Sequence, residues 1–273
     1  MLQLIGGRGR LGQALLRHSG HRNVRLIPRE VYENWWQTGS AEQAAHYFAV
    51  NATAGDIVCV LAGVLDPNQP QDVHDQVNFA LPSHVAEGAL EAGLRVVTFG
   101  SVMERFMALP NRYVATKARL AERISRLAEG GAPAVHLQIH TLYGGGPPSP
   151  FMFLGQMYEA LKEQRPFAMS SGRQIREYHH VDDDAVAIKL MLDAGVSGIA
   201  HISHGEAITL RDLALGVMKT IGKESQLLLG ELPDPPSDNF AGVLERTALL
   251  HDVNFRETVP AVAAEMRTAL ANG

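Results

Sequence analysis

Along the first half of the chain, short apolar runs alternate with longer amphipathic stretches. The runs are Leu2–Ile5, Val24–Ile27, Ile57–Leu61, Val96–Phe99 and Val135–Ile139. Helix-period segments lie between them at about 11–18, 41–52, 75–93 and 114–129. Strands that alternate with helices predict βαβ units, hence a parallel sheet covered by helices on both faces. Between Ile27 and Ile57 the pattern gives one clear helix and only a poor extra strand around Trp35-Trp36.

Beyond Tyr143 the texture changes. Gly144-Gly145-Gly146-Pro147-Pro148-Ser149-Pro150 suits neither helix nor central strand and marks a crossover. Helices are predicted at about 151–164, 182–194, 209–222 and 258–271, a strand near Ile199–Ser203, and a surface loop at Pro233–Pro236. The expected architecture is an α/β doubly wound parallel sheet over residues 1–143, rejoined by 177–204. Residues 144–176 and 205–273 then form a small C-terminal region, too interrupted to stand as an independent domain.

Composition narrows the function classes. Apolar residues make up 46% of the chain and the net charge is −5. That supports a sizeable core and gives no electrostatic reason to expect nucleic acid or a membrane surface as partner. No run of about 18 apolar residues occurs. The chain enters structure at once, without the basic start and apolar stretch of a signal peptide. The single cysteine, Cys59, lies in an apolar run and reads as a buried strand thiol. A reducing cytoplasm is the expected setting.

Gly6-Gly7-Arg8-Gly9-Arg10-Leu11-Gly12 follows the first strand directly and opens a helix. The spacing Gly6, Gly9, Gly12 has physical reasons: one glycine turns the chain, one lets backbone approach a pyrophosphate, and one lets helix and strand touch. N–H groups at the helix start then hold phosphate oxygens. This is a Rossmann-type dinucleotide loop. The second strand ends in Pro28-Arg29 rather than in the acidic residue that accepts from an NAD ribose. Arg29, with Arg8 from the loop, could instead clasp a 2′-phosphate through forked donors. NADP(H) is therefore expected ahead of NAD(H). Glu30, one place late, and plain surface arginines are the alternatives.

Tyr113-Val114-Ala115-Thr116-Lys117 puts a phenol and an ammonium on one helical face. A phenol with a pKa near 10 is a poor acid–base catalyst at neutral pH, and a neighbouring Lys⁺ favours its ionisation. Lys117 would also hold a nicotinamide ribose. Ser101 follows the strand Val96–Phe99, at a strand C-terminus where open α/β sheets bind ligands. Its hydroxyl would donate to a substrate oxygen. No metal site is expected. His179 and His180 are neighbours on a strand and face opposite ways; Asp182 or Asp183 reads as a helix cap; His201 and His204 read as strand-end surface.

Together these residues resemble the extended short-chain dehydrogenase/reductases, the group of nucleotide-sugar epimerases, dehydratases and reductases. The resemblance also takes in Leu61-Ala62-Gly63 at the next strand end, Asn78, the Leu142-Tyr143-Gly144 turn, and Arg176-Glu177-Tyr178-His179-His180-Val181-Asp182-Asp183. It implies that Leu61, Ala62 and Gly63 line the cofactor and that Arg176 contacts the diphosphate of a nucleotide sugar. It also implies a homodimer built on the helices at 75–93 and after Tyr113. Gly6-Gly7-Arg8-Gly9 is most similar to the loop of the NADP-dependent GDP-fucose synthases. Two departures stand out. Val102-Met103 replaces the Asp-Glu pair of the 4,6-dehydratases, and Gln138 and Thr141 replace an Arg and an Asn ahead of the Tyr-Gly turn. Val102, Met103 and Thr141 are kept as candidate substrate contacts.

The expected function is hydride transfer between a nicotinamide and a nucleotide-linked keto sugar or similar carbonyl. Two rivals are an epimerase that retains its cofactor and a non-catalytic dinucleotide sensor. The Tyr–Lys pair speaks against the sensor.

Overall fold

Apolar runs bounded by glycines and caps set the elements of the computed structural model, which describes residues 1–66, 68–107, 109 and 111–272. In chain order they begin β1 (Leu2–Ile5), α1 (Arg10–Ser19), β2 (Val24–Leu26), α2 (Arg29–Tyr32), α3 (Ser40–Asn51) and β3 (Ile57–Val60). Next come α4 (Gln71–Asp75), a π-helical turn (Gln76–Ala80), α5 (Leu81–Glu91), β4 (Arg95–Ser101), α6 (Met103–Phe106), α7 (Arg112–Glu129) and β5 (Ala134–Ile139). The remainder is β6 (Thr141–Tyr143), α8 (Phe153–Lys162), β7 (Phe167–Met169), β8 (Ile175–Arg176), β9 (Tyr178–His180), α9 (Val181–Asp193), β10 (Gly198–His201), β11 (Ile208–Thr209), α10 (Leu210–Ile221), β12 (Leu227–Leu229) and α11 (Thr258–Ala271).

The chain divides into two units. The first comprises Met1–Glu104, Pro110–Ile139 and Ala185–Ile202. Its six-stranded sheet has the order β10-β5-β4-β3-β1-β2, and every pairing is parallel. Parallel pairing puts the ends of β1, β3 and β4 on one edge, the edge that binds ligands in such sheets. The strands read as continuous apolar runs because both faces are covered. One face is packed by Ile5, Val58, Val60 and Val96 against Phe48, Leu81, Val85, Leu120 and Ile124.

The strand expected near Trp35-Trp36 is absent, so β2 is the sheet's edge. Trp35 is buried instead, edge-on to Tyr47 and Phe48 at 5.6 and 6.0 Å. Burying its indole against α3 outweighs whatever β preference the tryptophan pair carries.

The second unit comprises Arg105–Leu109, His140–Asp184 and Ser203–Gly273. It has an apolar core of its own, with Met157, Tyr158, Tyr178, Leu213, Val217, Met218, Val262 and Met266 at its centre. The sequence reading placed 140–143 and 177–184 with the sheet and gave the C-terminal region no independent standing. Both segments lie in the second unit, through the parallel pair β6–β9. No described helix is long and apolar enough to cross a membrane.

Candidate active site

The glycine loop leaves β1 and caps α1 at Gly9. Gly6 has φ +78°, and a Cβ there would lie 2.4 Å from the Ala62 backbone nitrogen, so the loop can sit against the end of β3 only with glycine at this position. A Cβ on Gly12 would strike Gly7 at 2.5 Å. No acidic residue occupies the first turn of α1 and no side chain caps it. Its positive end therefore stays suited to phosphate. These features fit a dinucleotide diphosphate.

The structure adds a residue that the sequence reading missed. The Tyr32 hydroxyl accepts from the Gly6 N–H at 3.2 Å, which ties α2 to the loop. Arg29 opens α2 and is exposed, as is Arg8 within the loop. Arg10 is half-buried, and burial lowers its pKa. Gln13 donates to the Gly7 carbonyl at 2.9 Å and stiffens the turn.

Leu61, Ala62 and Gly63 follow β3 directly. Asn78, wholly buried in the π-helical turn, holds this segment by exchanging two hydrogen bonds with the Val64 backbone, at 2.9 and 3.0 Å. A Cβ on Gly63 would lie 3.4 Å from Asn78 Oδ1 and 3.8 Å from Lys117 Nζ. Lys117 therefore reaches from α7 to the end of β3. Asn111 caps α7, accepting from the Val114 N–H at 3.0 Å, and this fixes Tyr113 and Lys117 in the first two turns on one face. Lys117 is buried (5% exposed), and burial brings its pKa down to about 8. Tyr113 is half-buried; its phenol is raised above the usual range, by burial first and then by the charge of Glu104.

Ser101 ends β4. Its Oγ accepts from the Met103 N–H at 3.2 Å, which leaves the hydroxyl proton available to a ligand oxygen. Glu104, unremarked in the sequence reading, accepts from the Ser101 N–H at 2.5 Å and from Gln138 Nε2 at 2.9 Å. Burial is the largest influence on this carboxyl and works to raise its pKa, yet His136 and these donors outweigh it and hold it below the usual range. Its charge acts on both Tyr113 and Lys117. Glu104 is thus a buried carboxylate fastened to the Ser101 backbone. Met103 is half-buried, whereas Val102 is 4% exposed and belongs to the interior.

The other two candidate substrate residues lie in the second unit. Thr141 is half-buried at the start of β6. Arg176 is already engaged: Nη2 donates to Asp238 at 2.6 Å and Nη1 to the Ile175 carbonyl at 2.9 Å. A diphosphate contact would require Arg176 to exchange Asp238 for the ligand.

His204 is not the strand-end surface residue expected. His204 is buried and stacks on His179 with centroids 4.6 Å apart. His140, Glu177 and His179 bring one donor atom each within 4.8 Å of one another, a spacing a metal could use. Both His179 nitrogens, however, face carboxylates: Nδ1 lies 2.5 Å from Asp184 and Nε2 2.7 Å from Glu177. That arrangement suits an imidazolium. Burial works against the charge, but Asp184 and Glu177 together prevail and the pKa rises to about 9. Asp183, expected as a cap, accepts from the Arg256 N–H at 2.9 Å and pairs with its guanidinium.

A parallel sheet with a glycine loop at its first strand and Ser, Tyr and Lys at its ligand edge is the architecture of the extended short-chain dehydrogenase/reductases. A sequence model of the "NAD dependent epimerase/dehydratase family" matches residues 3–203. The chain belongs to that family and is an NAD(P)-dependent enzyme of this type. Compared with curated protein sequences, it has no match.

Solved structures share the fold at low identity. The dTDP-glucose 4,6-dehydratase DesIV of Streptomyces venezuelae, with NAD and TYD bound, is 18% identical with a TM-score of 0.78, over 99% of this chain and 97% of that one. The UDP-glucose 4-epimerase of Thermus thermophilus, in complex with NAD, is 20% identical with a TM-score of 0.74, over 98% and 99%. A dTDP-4-dehydrorhamnose reductase from Clostridium acetobutylicum is 14% identical with a TM-score of 0.75, over 98% of each chain.

Proposed function

We propose that this enzyme reduces a carbonyl on a nucleotide-linked keto sugar, using NADPH. The observation that carries the reading is that Lys117 reaches Gly63 just after β3, the segment the glycine loop packs against at Ala62, with Ser101 at the end of the neighbouring strand β4. When bound, the nicotinamide supplies the hydride. The Ser101 hydroxyl donates to the carbonyl oxygen and polarises it. Tyr113, kept as a neutral phenol, gives its proton to the forming alkoxide. Lys117 holds the ribose and, where charged, eases loss of the Tyr113 proton. Arg8 and Arg29 grip the 2′-phosphate, with α2 steadied by Tyr32. Nucleotide sugars as substrate class follow from the family and from the UDP- and dTDP-sugar enzymes that share the fold.

The same side chains serve an epimerase, a reading favoured by the UDP-glucose 4-epimerase among those structures. Net NADPH consumption marks a reductase; retained cofactor with no net consumption marks an epimerase. Pairing of two copies through α5 and α7 belongs to the proposal, as does a reducing cytoplasm, which suits the buried Cys59 thiol.

The test is Tyr113→Phe, assayed with NADPH against a panel of UDP- and dTDP-linked 4-keto sugars. Turnover is expected to fall about 10²–10⁴-fold while NADPH affinity holds. A Tyr113→Phe enzyme with full turnover would overturn the assignment.

A further inference from the structure

In the second unit, the stretch from the end of β7 to the end of β8 is rich in groups that bind anions. Ser171 offers its N–H and its hydroxyl, and Arg173 and Arg176 offer forked guanidinium groups. Such donors suit the oxygens of a phosphate or a diphosphate.

The chain supplies its own anions to them. Asp234 Oδ1 accepts from the Ser171 N–H at 3.0 Å and from the Ser171 hydroxyl at 2.6 Å, and Oδ2 accepts from Arg173 Nη2 at 3.0 Å. Asp238 Oδ1 accepts from Arg176 Nη2 at 2.6 Å. One carboxylate thus sits on each arginine. A nucleotide sugar likewise carries one negative charge on each phosphate of its diphosphate.

The segment that bears the two aspartates hangs between fixed ends. Before it, the Leu232 N–H donates to the Met169 carbonyl at 3.3 Å. After it comes Asn239, which is buried; its carbonyl accepts from the Ile175 N–H at 2.8 Å and its Nδ2 donates to the Gly242 carbonyl at 2.7 Å. Between these ends, Pro233, Pro235 and Pro236 have no N–H to give, and the two carboxylates supply the grip. The grips differ in depth. The side chains of Arg176 and Asp238 are 19% and 17% exposed, whereas those of Arg173 and Asp234 are 71% and 29% exposed. Breaking the sheltered pair costs more than breaking the open one, so Asp238 is the stronger competitor of a ligand.

We propose that Ser171, Arg173 and Arg176 form one anion subsite and that Asp234 and Asp238 are its internal occupants, displaced when the diphosphate of a nucleotide ligand arrives. The inference deepens the reading of a nucleotide sugar as substrate and rests on it. The prolines fix φ at three positions, so segment 233–238 leaves as one stiff piece and takes both carboxylates with it. The affinity observed for the ligand is then the intrinsic affinity reduced by the fraction of molecules in which the arginines are released.

Calorimetric titration of UDP and dTDP into the full chain tests this. Asp238→Asn should bind them about 5–30-fold more tightly than the unaltered protein, the factor set by taking one ion pair out of the contest. Asp234→Asn should gain less. Inorganic pyrophosphate should gain in the same order, which puts the competition on the phosphates. A carboxylate that merely braces Arg176 for the ligand predicts the opposite sign, weaker binding in Asp238→Asn. Unchanged, weaker or absent binding in folded Asp238→Asn overturns the inference. Arg176→Ala decides the underlying reading separately. UDP affinity lost there, with no gain in Asp238→Asn, removes this inference alone; UDP affinity intact there removes the diphosphate contact as well.

Discussion

Each unit of this protein buries a carboxylate among histidines, and the two clusters are built to opposite ends. In the second unit Glu177 spends both oxygens internally. Oε1 accepts from His179 at 2.7 Å, the His204 N–H at 2.5 Å and the Gly205 N–H at 3.3 Å, and Oε2 accepts from Ser203 Oγ at 3.0 Å. His140 Nε2 lies a further 3.3 Å from Oε2. The cluster closes on itself and pins the loop after β10 to β9. In the first unit, Glu104 accepts from the Ser101 N–H and from Gln138, and its charge also bears on Tyr113 and Lys117. A closed charge network is spent on stability; one left open on a side is available to chemistry.

The comparison breaks most sharply under Glu177→Ala. Removing one partner of a buried ion network strands the others, and a loss of about 3–5 kcal/mol in unfolding free energy is expected by urea titration. Glu104→Gln, by contrast, keeps the shape and the bond from the Ser101 N–H but turns an amide NH2 toward Gln138, and should cost about 1–3 kcal/mol. Equal losses from the two would abolish the distinction.

Acidity and alkalinity test the second cluster by another route. His179 is raised from 6.5 to about 9, so its contribution is complete below 6.5 and disappears as pH rises through 9. That contribution is on the order of 3 kcal/mol. Glu177 is held down to about 2 although burial alone would raise it, because the His179 hydrogen bond and the His140, His179 and His204 charges outweigh burial. Its share is present above 4.5 and is lost as pH falls toward 2. Melting temperature should therefore peak between those limits and decline on the alkaline side well before pH 9. The alkaline decline should vanish in His179→Gln.

A separate effect is expected at the cofactor. Arg29→Ala should weaken NADPH by about 1.5–3 kcal/mol, the worth of a charged hydrogen-bonded contact, and leave NADH nearly unchanged. Competitive titration of the two nucleotides reads the difference. Equal losses for both would return the 2′-phosphate contact to Arg8 or dismiss it.

Much of the first unit could be read along the chain because its signals are local. A run such as Ile57–Val60 carries its strand pattern in itself, and Gly12 must pass Gly7 inside a turn that spans only seven residues. Tyr113 and Lys117 share a face because a helix repeats every 3.6 residues. Glu104 was overlooked because only its bond to the Ser101 N–H is local: Gln138 is 34 residues on, and His136 lies on the same strand, β5. Tyr32 meets Gly6 across 26 residues, from a four-residue helix with no periodicity to announce it. Misreading His204 as surface had the same origin, since its burial depends on Glu177 and His179 more than twenty residues away.

The sequence alone determined the parallel α/β order, the glycine loop and the helical pairing of Tyr113 with Lys117. Each follows from backbone sterics and short-range periodicity. Tertiary structure alone decided which buried charges are closed off and which are left facing the reacting groups. Electrostatic environment depends on distances across the fold, and no spacing along the chain encodes them.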